Sequence, residues 1–158
     1  MNKRMLGLVC LNLFLAAVLF GCGAGSDKQK IFDDEAGITQ DGDTYTFVNR
    51  TGSTNSDEDV ALAYTGFSGV QTIWIIEVSA ASEVDFEFNS TVDDGDFKVV
   101  LVTPDKEIVT LLTGTQQGTA TQELTQGKYA VKLLGRNADG QINLSLTPGQ
   151  NVNLATTE

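Results

Sequence analysis

The side chains able to do chemistry in this 158-residue chain are mostly carboxylates: 21 Asp and Glu against 10 Lys and Arg, with no histidine and 2 cysteines. Without imidazole there is no Ser-His-Asp relay, no His-ligated zinc and no imidazole acid–base step. Two carboxylates flanking a cleft could cleave a glycosidic bond, and Glu77, Glu83, Asp85 and Glu87 are the residues available for that work. Carboxylates gathered on a loop could instead hold calcium, a hard cation that takes oxygen ligands. Asp93, Asp94 and Asp96 around Gly95 are the candidate metal ligands, with Asp41 and Asp43, and Asp57, Glu58 and Asp59, as lesser groupings. None has EF-hand spacing, and Asp and Gly also build turns for their own conformational reasons. Glu83, Asp85 and Glu87 alternate with Val84, Phe86 and Phe88, which puts the three acids on the wet face of a strand and not around a cleft. A non-enzymatic protein without an obligatory cofactor is expected, with calcium as the one cofactor its loops would suit.

The remaining reactive group is a thiol. Lys3 and Arg4 precede an apolar run from Met5 to Phe20, the layout of a secretory signal. At 16 residues the run is shorter than the ~20 that cross a bilayer core as a helix. Leu19, Phe20, Gly21 and Cys22 follow and resemble a bacterial lipobox, although the bulky Phe20 stands where a small residue is commoner. The resemblance implies cleavage before Cys22, a thioether-linked diacylglycerol on its sulfur and an acyl chain, such as palmitate, on the new amino terminus. Cys10 would leave with residues 1–21, so the mature chain would carry a single thiol and no internal disulfide. Lipidation removes an unpaired thiol from an oxidising compartment and supplies the two or more acyl chains that stable anchoring needs. The protein is therefore expected on the extracytoplasmic face of a bacterial cell or outer membrane, held there by lipid.

The elements that must position any site begin after this leader. Residues 22–42, polar and glycine-bearing, read as the lipidated N-terminus and a flexible tether. Residues 43–158 read as one all-β domain, since short runs rich in Val, Ile, Thr, Tyr and Phe recur between Gly, Asn and Asp clusters. About eight strands are expected, forming an antiparallel β-sandwich of jelly-roll or Ig-like type. The strands are "TYTFVN", "DVALAYTGF", "VQTIWIIEVSA", "SEVDFEFNS", "DFKVVLVTP", "EIVTLL", "ATQEL", "GKYAVKLLG" and "QINLSL", with a weak last one through Val152 and Leu154. "EIVTLL" should pair with "DFKVVLVTP" across "TPDKE", and Asp139-Gly140 should close a tight hairpin between the last two full strands. Trp74 in "TIWIIEV" reads as core, while Tyr64 and Phe67 are the aromatics that could stand exposed.

Two of these segments, "GDFKVVLVTPDKEIVTLL" and "LTQGKYAVKLLGRNADGQINLSL", are similar to the C-terminal half of small bacterial surface lipoproteins of clostridial type. A looser similarity, through Gly127, Tyr129 and Val131, extends to the pre-peptidase C-terminal β-sandwich modules of secreted proteins. The first resemblance implies a lipid-anchored sandwich without catalytic residues, and the second an accessory module that sometimes binds calcium or a polymer. Tyr129, entering a strand after a Gly turn, should tie its hydroxyl to nearby backbone and fix a corner.

Charge narrows the partners. Loss of residues 1–21 leaves eight basic against 21 acidic residues, a formal charge of −13. Nucleic acid and anionic headgroups are repelled by such a surface. The function expected is an interaction module for an envelope protein or glycan, with a calcium-dependent or carbohydrate-binding accessory module as the alternative and a carboxylate hydrolase as the outlier.

Overall fold

The computed structural model describes residues 24–53 and 57–156. Three short helical pieces come first: α1 (Ala24–Lys30), a 3-10 turn (Ile31–Asp33) and α2 (Glu35–Thr39). Eight strands follow: β1 (Thr44–Thr46), β2 (Asn49–Ser53), β3 (Asp59–Val78), β4 (Ser82–Val102), β5 (Ile108–Thr113), β6 (Gln116–Leu124), β7 (Gly127–Pro148) and β8 (Val152–Thr156). All pairings are antiparallel, in the order β1-β3-β7-β4-β5, with β2 and β8 also on β3 and β6 also on β4.

The all-β expectation and the count of eight strands hold, but three of the strands are longer than their sequence punctuation suggests. β3, β4 and β7 run 20, 21 and 22 residues and each crosses from one layer to the other. Register shifts fall between Tyr64 and Gly69 on β3 and between Val92 and Asp96 on β4, where the sheet folds over itself. Bulges raise local twist and bend a strand without ending it. The "RNADG" segment is such an irregularity inside β7 and not the hairpin turn its Asp-Gly pair predicts. Its polar groups bond to β3 instead: the Asp139 carboxylate accepts from the Gly66 N–H at 2.6 Å, and the Asn137 N–H donates to Ser68 Oγ at 2.9 Å. Gly95 faces this segment at φ +69°, where a Cβ would strike the Asn137 carbonyl oxygen. Only glycine fits there comfortably.

The fold line divides the sheet into two layers. The first contains β2, β6, the opening halves of β3 and β4, and the closing half of β7. The second contains β1, β5, β8 and the complementary halves. Their inner faces share one core: Val60, Leu62, Phe86, Phe88, Ile142 and Leu144 from the first layer, Trp74, Ile76, Val99, Leu101, Val131 and Leu133 from the second. The alternation of "SEVDFEFNS" is realised as read, with Val84 and Phe86 fully buried and Glu83, Asp85 and Glu87 exposed. Trp74 is also fully buried. Tyr129 fixes its corner, its hydroxyl accepting from Thr125 N and donating to Thr125 O, both at 3.1 Å.

Residues 24–40 depart from the flexible tether expected of them. Phe32 and Ile38 are buried against Val70, Val100, Val102 and Leu134 on the outer face of the second layer. That face is apolar, so it needs a cover, and the N-terminal segment supplies one. Asp34 caps α2 by accepting from the Ala36 N–H.

Candidate functional site

The two outer faces of the sandwich have opposite fates. On the second layer the cations hold the N-terminal segment down. Lys132, 3% exposed, donates from Nζ to the Gln40 carbonyl at 2.8 Å, and Lys106 Nζ donates to the Thr39 carbonyl at 3.0 Å. Arg136 pairs with Asp33 and Asp96, and its guanidinium and the Lys98 ammonium lie 4.8 and 4.4 Å from the Phe32 ring centre. Burial pushes the Lys132 ammonium below its ordinary value of 10.5, against the pull of Asp43. Lys98 is lowered for the same reason, opposed by Asp33. A cleft of about 250 Å³ remains beside Lys106, Lys128 and Lys132. Two of its three amines, those of Lys106 and Lys132, are already engaged with backbone carbonyls of the cover, so these two cations serve structure.

The outer face of the first layer has no such cover among the described residues. Its cross-strand rows are polar: Thr121, Asp85 and Thr147 in one, Thr119, Glu87, Ser145 and Asp59 in the next. Gln117, Asn89, Asn143, Ala61 and Ser53 form a third, and Thr91, Gln141, Ala63 and Thr51 a fourth. Thr121 donates to Asp85 and Ser145 to Asp59, at 2.5 and 2.7 Å. Strand alternation places these side chains together, because every second residue of each strand points outward.

Where the two alanines sit, the face dips. One hollow, about 250 Å³, lies over Ala61 and Ala63 between Thr51 and Asn143. A second, about 360 Å³, adjoins it through Thr51, Ala63 and Gln141 and continues to Asn49, Arg50, Tyr64 and Asp93. Tyr64 is 3% exposed, its ring stacked on Phe97 with centroids 5.0 Å apart. Its hydroxyl oxygen is buried and has no hydrogen-bond partner among the described residues. Burial, reinforced by Asp93 and Asp139, raises the phenol far above its ordinary value.

The residues singled out from sequence fall in different places. Cys22 lies outside the described residues. Asp93 lines the larger hollow, Asp94 accepts from the neighbouring Gly95 N–H, and Asp96 turns to Arg136. The three do not converge, and among the described residues no group of three or more acidic, Cys or His side chains has a metal-binding arrangement. Asp43 accepts from both the N–H and the hydroxyl of Thr72, and Asp41 from Lys106. Tyr64 and Phe67, read as the aromatics free to stand exposed, are instead buried where the sheet folds over, packed with Phe97. Sequence reasoning missed the hollow because Asn49, Thr51, Ala63 and Gln141 come from three separated strands. The only local signal is the small Ala61 and Ala63 at outward positions of "DVALAY" and the polar Gln141, Asn143 and Ser145 at those of "QINLSL".

No protein-family description matches the chain, and no curated protein is similar to it. Among solved structures, a family two carbohydrate esterase from Cellvibrio japonicus is similar over 72% of this chain and 33% of its own, with 18% identity and a TM-score of 0.39. The chain thus spans about a third of that enzyme's length.

Proposed function

We propose that this protein is a lipid-anchored β-sandwich on the extracytoplasmic face of a bacterial membrane, and that it holds an envelope partner, without catalysis, on the outer face of its first layer. The observation that carries the reading is the contrast between the two faces. The apolar one is occupied by the chain's own N-terminal segment, and the polar one, hollowed over Ala61 and Ala63, is left open by the described residues. The lipobox-like Leu19–Cys22 stretch supports the anchor, and the acidic mature charge of −13 disfavours nucleic acid.

Mass spectrometry of the mature N-terminal peptide tests the anchor, which requires a diacylglyceryl thioether and an N-acyl group on Cys22; an unmodified Cys22 overturns it. The face is tested by retention of the protein on washed envelope from the source bacterium. Asn143→Arg, on the open face, should abolish retention, whereas Asp105→Arg, in the β4–β5 turn, should leave it intact.

A further inference from the structure

We infer that β6 is an interface: this edge of the first layer pairs antiparallel with the β6 of a second copy of the chain, about a two-fold axis at Ala120.

An edge strand presents backbone donors and acceptors that no neighbouring strand uses. Among the described residues β6 pairs only with β4. At nine residues it is the longest strand bonded on one side, since β1, β2, β5 and β8 have three to six. Every second residue of an antiparallel strand aims its N–H and C=O away from the existing neighbour, so β6 offers a second ladder along its length. Folded proteins close such edges with lysine, proline, bulges or short strands. Gln116–Leu124 contains neither lysine nor proline, and its register with β4 is unbroken from Ser82 opposite Leu124 to Ser90 opposite Gln116. β2, by contrast, carries Arg50 and has Gly52 at φ +104°, and β5 pairs across a register shift between Val99 and Val100.

Charge and side-chain order favour a second copy as the partner. Copies of a chain this acidic repel one another wherever their carboxylates meet. From Ile108 to Gln122, through β5 and all but the last two residues of β6, no residue is charged. The exposed side chains of β6 are Gln117, Thr119, Thr121 and Glu123 on one face, and they are self-complementary about Ala120. Thr119 falls opposite Thr121 of the second copy, a cross-strand pair whose hydroxyls bond to each other. Glu123 falls opposite Gln117 of the second copy, which brings an amide donor. A donor is useful there, because Glu123 already stands across from Glu83 on β4, a like charge. Asp85 and Glu87 lie one strand behind Thr121 and Thr119. Across the seam, Asp85 of one copy and Glu87 of the other would be three strand spacings apart, about 14 Å, beyond the screening length of about 8 Å. On the opposite face of β6, Gly118 and Ala120 place nothing bulky near the axis.

Sedimentation and cysteine cross-linking test the pairing, using the full mature chain in a large excess of detergent micelles so that two chains rarely share one. Wild type should show a monomer–dimer equilibrium with a dissociation constant below about 100 μM. Ala120→Cys should join two copies under mild oxidation, because directly opposed residues of an antiparallel pair have Cα atoms about 4.5–5.5 Å apart, within disulfide reach. Gln116→Cys, whose counterpart would lie about 27 Å away along the seam, should cross-link no more than wild type, which controls for Cys22. Thr119→Lys combined with Thr121→Lys sets lysines against lysines at exposed positions and should weaken dimerisation at least tenfold, with the melting temperature unchanged. The inference is overturned if wild type is wholly monomeric at about 100 μM, if Gln116→Cys cross-links as readily as Ala120→Cys, or if the double lysine variant dimerises like wild type. Capture of a different polypeptide by Ala120→Cys in intact envelope, with no homodimer, would assign the edge to another protein and overturn the second copy.

Discussion

Two tyrosines occupy comparable buried positions with opposite hydrogen-bond fates, and the same substitution should separate them. Tyr129 makes two bonds to the Thr125 backbone, so Tyr129→Phe should cost about 1–2 kcal/mol in chemical denaturation. Tyr64 has a buried hydroxyl without a partner among the described residues, so Tyr64→Phe should be neutral or stabilising by up to about 1 kcal/mol. Equal losses in the two variants would mean that Tyr64 is satisfied in solution.

Lys132 offers a second test at the level of the single residue. Its folded-state pKa lies below the 10.5 of an unfolded lysine, chiefly through burial. In the interval between those values the unfolded chain binds more protons than the folded one, so rising pH favours the fold. Melting curves of wild type and Lys132→Met should show the difference shifting in favour of wild type as pH climbs toward 10.5. No trend, or the reverse, would mean the ammonium is better solvated than its burial implies. The residue-level reading of sequence was strongest in the strand around Phe86, where one face had to be apolar and the other wet. It was weakest at Tyr64, because Tyr suits core and ligand sites equally and only the neighbours decide.

Among the elements, the N-terminal segment behaves as a lid on the second layer and not as a tether. Ile38, 2% exposed, packs with Val70, Val100, Val102 and Leu134. Ile38→Ala should cost about 2–4 kcal/mol, the range for truncating a buried aliphatic side chain. Trypsin gives the kinetic counterpart. Cleavage at Lys28 and Lys30 should be slow in wild type, because Lys28 Nζ is bonded to the Tyr45 carbonyl at 2.9 Å and α1 lies against β3 and β7, and should accelerate in Ile38→Ala. Rapid cleavage in wild type would restore the tether. Sequence hid this lid because Ile31, Phe32 and Ile38 are too few to make a stripe on their own. Their burial depends on an apolar outer face that exists only once the second layer has formed. The long β7 was hidden for a related reason: Asn-Ala-Asp-Gly is as good a signal for a tight turn as for a bulge. The distinction lies in Gly66 and Ser68, which stand 73 and 69 residues away along the chain from the groups they bond.

For the whole molecule, the proposed anchor on Cys22 has a consequence for the distance at which the domain would sit from a membrane. α1 begins at Ala24, two residues after Cys22. With consecutive Cα atoms 3.8 Å apart, a lipidated Cys22 leaves at most about 8 Å of free chain, where a 20-residue flexible tether would allow about 25 Å on average. Energy transfer from a dye attached at Lys30→Cys to labelled lipid should therefore be strong and uniform in wild type, and weaker and broader after a long Gly-Ser insertion at residue 23. Identical transfer in the two would show that the segment does not seat the domain close to the bilayer.

Several properties were settled by local chemistry alone. The lack of histidine, the lone cysteine that would follow signal cleavage, the acidic balance and the period-two burial of "SEVDFEFNS" depend on residue identity and nearest neighbours, which are visible along the chain. The folding of long strands across two layers, the closure of one outer face by residues 24–40 and the trough over Ala61 and Ala63 came only with three-dimensional packing. Each of these joins residues distant in sequence through cross-strand register. Register is a property of paired strands, and no single strand encodes what will lie beside it.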